Sequence, residues 1–314
     1  MNHIKLFLLV ISFGLFSNIG ISQKEKEVKV KTANGKLYGT LLQPDVKEAV
    51  PVVLIIAGSG PTDRDGNSGL IQTNTYKLMA EALLEKQIAS LRFDKQGVGK
   101  SSETKKEEKD LSFEDLVSDV EAWIAKLEKN KDFSEIIIAG HSEGSLIGIL
   151  AAQNSEVDKF ISIAGAGRSI DKILLEQINK QSGKYIPESK SIIKSLRKGE
   201  TVDSISPALK AVFRPSVQNY LISWMKYDPV EELAKLKISY LIIQGTTDIQ
   251  VPVEDARLLN EAHEKDNLVL IENLNHVLKD APEDRAENMK TYYNPKLPLH
   301  EKFMDPIFKF IFNK

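Results

Sequence analysis

Ser142 sits at the centre of Gly140-His141-Ser142-Glu143-Gly144, a G-x-S-x-G pattern. A serine hydroxyl is a useful nucleophile only when it is presented clear of the backbone to a base. It also needs N–H donors nearby for the oxyanion that its attack creates. Holding it there takes a strained turn whose flanking positions cannot carry bulky side chains, which accounts for the two glycines. The base such a serine needs is a histidine oriented by a carboxylate. Of the five histidines, His276 alone follows directly on a predicted strand end, in Glu272-Asn273-Leu274-Asn275-His276. His3 falls in the N-terminal apolar segment, and His141 precedes the serine and is expected to point away from it. His263 lies among Glu261, Glu264 and Lys265 in a charged helix, and His300 opens the last predicted helix.

The carboxylate expected beside His276 is Asp248, in Gln244-Gly245-Thr246-Thr247-Asp248-Ile249-Gln250-Val251-Pro252, just past a predicted strand's carboxyl end. Asp255, inside the following helix, and Asp280 are weaker rivals. Backbone N–H groups for the oxyanion are expected from Glu143, directly after the serine, and from Ser59 in the loop Ala57-Gly58-Ser59-Gly60-Pro61. Each feature also has a bland reading. A G-x-S-x-G match can be an ordinary loop, Asp248 a turn residue or helix cap, and the glycine-rich loop a plain turn. Context argues for chemistry, because the serine lies between a short apolar run, Ile136 to Ala139, and a helix-spaced one, Leu146, Ile147, Ile149 and Leu150.

Those residues need a frame to bring them together. Pro51 to Ala57 is an unbroken apolar run, as expected of a strand covered on both faces. Further strands are expected at Ile88–Phe93, Phe160–Gly165, Tyr240–Gly245 and Asn267–Ile271, and Asn34-Gly35 predicts a hairpin ahead of them. Between the strands, Tyr76, Met79, Ala80, Leu83 and Leu84 mark one amphipathic helix, and Leu116, Val120, Trp123, Ile124 and Leu127 another. Strands alternating with helices imply right-handed crossovers and a mostly parallel sheet flanked by helices. The alternation breaks at Gly167, and from about 168 to 237 the pattern is helical with interruptions. A segment this long is too large for an unstructured loop and is expected to be a helical lid beside the site.

Composition is that of a globular enzyme: 314 residues, 42% hydrophobic and 27% charged, with a formal net charge of −2. A charge so near zero gives no electrostatic reason to expect nucleic acid or an acidic membrane surface as partner. Lys5, the apolar run Leu6 to Phe16 and the small residues Gly20 and Ser22 have the three parts of a secretory signal peptide. The run is shorter than the ~20 residues a membrane span needs. Cleavage near Ser22 is therefore expected, leaving an exported periplasmic or extracellular domain, 23–314, with no stable membrane span. There is no cysteine, so neither a disulfide nor a lipidated cysteine is available, and the fold must rest on core packing. No His/Cys cluster has metal-ligand spacing, and Gly97-Val98-Gly99 lacks the third glycine of a phosphate-binding fingerprint. No metal or cofactor is expected.

The chain resembles the α/β-hydrolases over almost the whole sequence after residue 22. Gly58-Ser59-Gly60-Pro61-Thr62-Asp63-Arg64-Asp65-Gly66 is similar to the GSGPxDRD loop of a bacterial serine carboxylesterase subgroup. Arg92-Phe93-Asp94-Lys95-Gln96-Gly97-Val98-Gly99-Lys100-Ser101 resembles that fold's R-x-D-x-x-G-x-G-x-S turn. Asp248 with Val251-Pro252, and Asn275-His276, are similar to its acid and histidine segments. The resemblance implies an α/β-hydrolase fold with a helical cap after the sixth strand, and a serine carboxylesterase acting on a small-molecule acyl ester. Ala57 departs from the commoner oxyanion pattern, in which a histidine precedes the glycine.

Taken together, the sequence predicts ester hydrolysis through an acyl-enzyme on Ser142, with His276 and Asp248 completing the triad. Short acyl groups are expected, since no long apolar tunnel is legible. The same triad would serve a thioesterase, acyltransferase or peptidase, and an inert binding protein on this fold is the rival from another class. A membrane-bound lipase fits less well, because Lys172, Lys180, Lys184, Lys190 and Lys194 charge the helical segment. Arg64, Trp224 and Tyr227 are candidate substrate contacts, and Tyr185, Phe213 and Tyr220 are further candidate pocket walls. Arg64 has an equal structural reading, paired to a carboxylate to hold the oxyanion loop.

Overall fold

A computed structural model describes residues 23–103, 106–263 and 267–313. The expected signal segment, 1–22, lies outside the described residues. Among the described residues eight strands are formed: β1 (Gln23–Thr32), β2 (Gly35–Pro44), β3 (Val50–Ile56), β4 (Ala89–Phe93), β5 (Phe133–His141), β6 (Lys159–Ile163), β7 (Ser239–Gly245) and β8 (Leu268–Ile271). They make one sheet in the order β1-β2-β4-β3-β5-β6-β7-β8. β1 and β2 form the antiparallel hairpin that Asn34-Gly35 predicts, and β2 pairs antiparallel with β4. Every later pairing is parallel.

The strands are apolar on both faces because helices cover both. Val52, Leu54 and Ile56 of β3 enter one core with α2 (Phe113–Glu128) and α3 (Glu143–Gln153), among them Trp123 and Leu146. Val53 and Ile55, pointing the other way by the period of two, enter a second core with α1 (Thr75–Glu85) and the C-terminal helix Met304–Phe312. Parallel register also levels the strand ends. Ile56 lies opposite Gly140, His141 opposite Ile163, and Gly245 opposite Ile271. The loops that follow β3, β4, β5, β7 and β8 therefore gather at one edge, which is where ligands bind in sheets of this kind.

Between β6 and β7 the chain is helical: α4 (Ile170–Ser182), α5 (Ile186–Leu196), the short α6 (Lys210–Phe213), α7 (Pro215–Trp224) and the short α8 (Pro229–Leu233). These elements carry a small core of their own, centred on Ile178, Ile192, Leu196, Leu209, Phe213 and Leu221. α9 (Val253–Asn260), α10 (Arg285–Lys290) and α11 (Met304–Phe312) complete the fold. α11 begins at Met304 rather than at His300, which lies in the turn leading to it.

Candidate functional site

Ser142 joins β5 to α3 with φ 55° and ψ −120°, a conformation that costs a non-glycine residue of the order of 1–3 kcal/mol. The strain is held by what surrounds it. Its N–H donates to the Ile163 carbonyl, and the turn closes with Ser145 N–H on the Ser142 carbonyl. Helix and strand approach so closely that a Cβ on Gly140 would lie 2.2 Å from the Gly144 carbonyl oxygen, and one on Gly144 2.5 Å from that of Ile56. The two glycines of the motif are thus required by packing, and the serine stands at the first turn of α3 where unpaired N–H groups face outward.

The structure brings Ser142, His276 and Asp248 to the same edge. His276 follows β8 and shares a small cavity wall with Ser142. Its Nδ1 lies 2.7 Å from Asp248 Oδ2. The carboxylate cannot donate, so the imidazole does, and in the neutral ring the lone pair is left on Nε2. Asp248 Oδ1 accepts the backbone N–H groups of Gln250 and Val251 at 2.8 and 2.9 Å. Burial disfavours the Asp248 charge, but attraction to His276, its hydrogen bond and those two N–H groups outweigh it and hold the carboxyl below its ordinary value. The rival carboxylates are engaged elsewhere. Asp255 accepts from Gly167 N–H and pairs with Arg168, and the Asp280 side chain is exposed.

His141 does not simply turn away, as expected from its place beside the serine. Its Nε2 lies 2.8 Å from the His276 carbonyl oxygen and its Nδ1 lies 2.8 Å from the Tyr76 hydroxyl. Burial, then the neighbouring His276, lowers its pKa to about 3, so the ring is neutral. A carbonyl only accepts, hence Nε2 carries the proton and Nδ1 accepts from Tyr76. The Tyr76 oxygen in turn accepts the Gly58 N–H at 3.0 Å. One polar chain thus ties the Gly58 loop, the serine turn and the histidine loop together. Neither Tyr76 nor His141 carries a signal of this in the sequence, since the partners are far apart along the chain.

Two cavities meet at Ser142. The larger, about 730 Å³, is walled by apolar residues that include Leu146, Ile173, Leu174, Val217, Leu221 and Trp224. The smaller, about 160 Å³, has Ser68, Thr73, Thr75 and Tyr76 in its wall beside Ile71 and Val277. Ser59, Ser142 and Gln250 line both, His276 only the smaller, and Glu143 only the larger. The walls of the larger cavity come from α2, α3, α4, α6, α7 and α8, so it had no single stretch of sequence to be read from.

The three proposed contacts separate. Trp224 lines the larger cavity, as does Tyr220. Arg64 is in neither wall; its guanidinium pairs with Asp94 at 2.6 Å and bonds Thr40. Tyr227 is also in neither wall, because its ring packs on Phe113 and its hydroxyl bonds Glu114. Phe213 is fully buried in the core of the helical segment, with Tyr185 packed at its side. Among the described residues no group of His, Cys, Asp or Glu is placed to hold a metal ion. None of their helices is long and apolar enough to cross a membrane.

Residues 69–281 match the family model Hydrolase_4, described as serine aminopeptidase, S33. The chain belongs to this family. As a member of the S33 family it is 26% identical over 265 residues to esterase EstD of Thermotoga maritima, a match covering 82% of this chain and 60% of that protein. It thus spans well under two thirds of that relative's length. Among solved structures it resembles Est1E from Butyrivibrio proteoclasticus, with a TM-score of 0.55, 21% identity, and 84% of this chain and 94% of that one covered. It also resembles the esterase EaEST from Exiguobacterium antarcticum, with a TM-score of 0.57, 16% identity, and 92% and 100% covered. At those identities the two structures establish the α/β-hydrolase fold, with its mostly parallel eight-stranded sheet.

Proposed function

We propose that this chain is a serine esterase that works through an acyl-enzyme on Ser142. His276 Nε2 takes the serine proton as Oγ attacks the acyl carbonyl. The N–H groups of Ser59 and Glu143 hold the tetrahedral oxyanion, and Asp248 keeps the imidazole oriented and offsets its charge. The ester C–O bond breaks, the alkoxide leaves with the proton from His276, and water repeats the sequence to release the acid. The observation that carries this reading is the Asp248–His276 pair at 2.7 Å beside a serine held at positive φ. The esterase name of the Thermotoga maritima relative supports it, as does the similarity of the GSGPTDRD stretch to a carboxylesterase loop.

The cavities favour an orientation. The leaving oxygen must lie within reach of His276, which lines only the smaller cavity, and the ~160 Å³ there takes a small alcohol. The acyl group then enters the larger apolar cavity, whose volume falls within the ~300–1,000 Å³ of pockets for drug-sized ligands. Each cation and anion in its wall is already paired: Lys95 with Glu143, Lys106 with Asp115, Arg168 with Asp255, and Arg214 with Glu108. That favours an uncharged, bulky acyl group over the short one expected from sequence. It also weighs against aminopeptidase action, which needs a free carboxylate for the substrate's amino terminus. Helices α4 to α8 act as the cap, and the segment 1–22 directs export with cleavage near Ser22.

Ethyl octanoate and octyl acetate are isomers, so their comparison removes overall hydrophobicity. Ethyl octanoate is expected to be cleaved with a kcat/KM ~10-fold or more higher, followed by acid release in a pH-stat. Equal rates, or preference for octyl acetate, would overturn the orientation. No turnover of either, by folded protein, would overturn ester hydrolysis itself.

A further inference from the structure

The loop after β3 must present the Ser59 N–H in a fixed direction, because a donor that has to reorient during the reaction loses most of its value. Gly58 is pressed against the serine turn, where a Cβ would lie 3.1 Å from the Ser142 Cβ, so no side chain can brace it. Its two peptide groups are braced from outside. Its N–H is held by the Tyr76 hydroxyl, and its carbonyl oxygen accepts from Lys95 Nζ at 2.5 Å. The Gly58 carbonyl and the Ser59 N–H belong to one planar trans peptide and point in opposite directions. Fixing the first therefore fixes the second.

Lys95 is itself fixed. It lies in the loop after β4, 7% exposed, and its ammonium reaches Glu143 Oε2 at 3.4 Å. The other Glu143 oxygen accepts the Tyr220 hydroxyl of α7 at 2.6 Å. Glu143 also supplies the second backbone donor of the proposed oxyanion site, so Lys95 connects the residue of one donor to the Gly58–Ser59 peptide that carries the other. An ammonium bonded to the Gly58 oxygen also polarises that amide and so strengthens its N–H as a donor. A buried ion pair is a poor way to add stability, since desolvation offsets most of the attraction. Its place against the reacting centre gives it a different use.

We propose that Lys95 is a positioning residue for the oxyanion site: held by Glu143, it locks the Gly58–Ser59 peptide with the Ser59 N–H turned away from the ammonium and toward the reacting carbonyl. This rests on the assignment of Ser59 as an oxyanion donor. Lys95 touches no reacting atom and acts through that peptide.

Lys95→Met alone leaves Glu143 buried and unpaired, so the decisive variant is Lys95→Met with Glu143→Gln, which removes both charges and keeps the Tyr220 contact. In this double variant, kcat for ethyl octanoate is expected to fall ~10²-fold with KM within ~3-fold of wild type. Affinity for an alkyl boronic acid, whose serine adduct carries the tetrahedral oxyanion, should fall in parallel by ~10². A role in folding alone predicts that the charge-free pair restores both values, and recovery to within ~3-fold of wild type would overturn the proposal. If wild-type protein cleaves no ester, the esterase reading falls, and the ratio of boronic acid affinities still decides on Lys95.

Discussion

The sheet edge and the helical segment of α4 to α8 are built on different principles. At the edge, geometry is set by backbone and by directional polar contacts: Ser142 at positive φ, Asp248 with its donors at 2.7 to 3.2 Å, and the Tyr76–His141 chain. The helical segment is held by its own apolar core and by aromatic stacking, with the Trp224 ring 5.2 Å from that of Phe113 and Phe113 N–H on the Ser223 hydroxyl. Its lysines at 172, 180, 184, 190 and 194 are all exposed. The difference teaches a division of labour. Atoms that react need sub-ångström placement, which only directional bonds give; a wall that encloses an acyl chain needs shape and apolarity, which packing gives.

That division can be broken first at the edge. Ser142→Ala should lower kcat by ~10⁵-fold or more, measured on ethyl octanoate, with an unchanged thermal melt or a slightly higher one, since the variant only removes a hydroxyl. Residual activity within ~10-fold of wild type would place the nucleophile elsewhere. A cavity-filling change in the helical segment should act on selectivity. Val217→Trp, on α7 and in the larger cavity wall, is expected to lower the ratio of kcat/KM for ethyl octanoate over ethyl acetate by ~10-fold. An equal loss on both esters would show that the wall does not discriminate by acyl size.

The smallest effect lies beneath both regions. Asp119 on α2 is buried, bonded to Gln96, and its carboxyl is pushed up to about 7, chiefly by burial with a further rise from Asp115. Between the ordinary carboxylate value and about 7 the folded chain holds a proton that the unfolded chain has lost. Stability therefore falls as pH rises through that window. Asp119→Asn should raise the melting temperature at pH 8, by the equivalent of a few kcal/mol at most, and leave it nearly unchanged at pH 4. A variant that melts lower than wild type at pH 8 would show that the charge is compensated within the fold.

Much of the frame was legible because its signals are local. β3 and β7 lie where apolar runs stop at loop residues, β4 and β6 where apolar stretches are interrupted only by Ser90, Arg92 and Ser162, and the serine turn lies where two glycines flank a serine between strand and helix. The short α10, Arg285–Lys290, was not legible, since six mostly polar residues carry no apolar period; its cap, Asp284, bonds N–H groups of Ala286 and Glu287. Arg64 was ambiguous, because nothing nearby in the chain reveals that Asp94, thirty residues on, takes its guanidinium.

The sequence by itself determined the alternation of strands and helices, the sharp turn at Ser142 and the order of the three side chains that meet there. These follow from residue size, polarity and backbone freedom over a few neighbours. Only the tertiary structure decided which donors face which acceptors, His141 on the His276 carbonyl and Lys95 on that of Gly58, and built a cavity walled from six helices. Hydrogen bonds and cavities depend on distances between segments remote in the chain, and those distances exist only once the parallel register has levelled the strand ends.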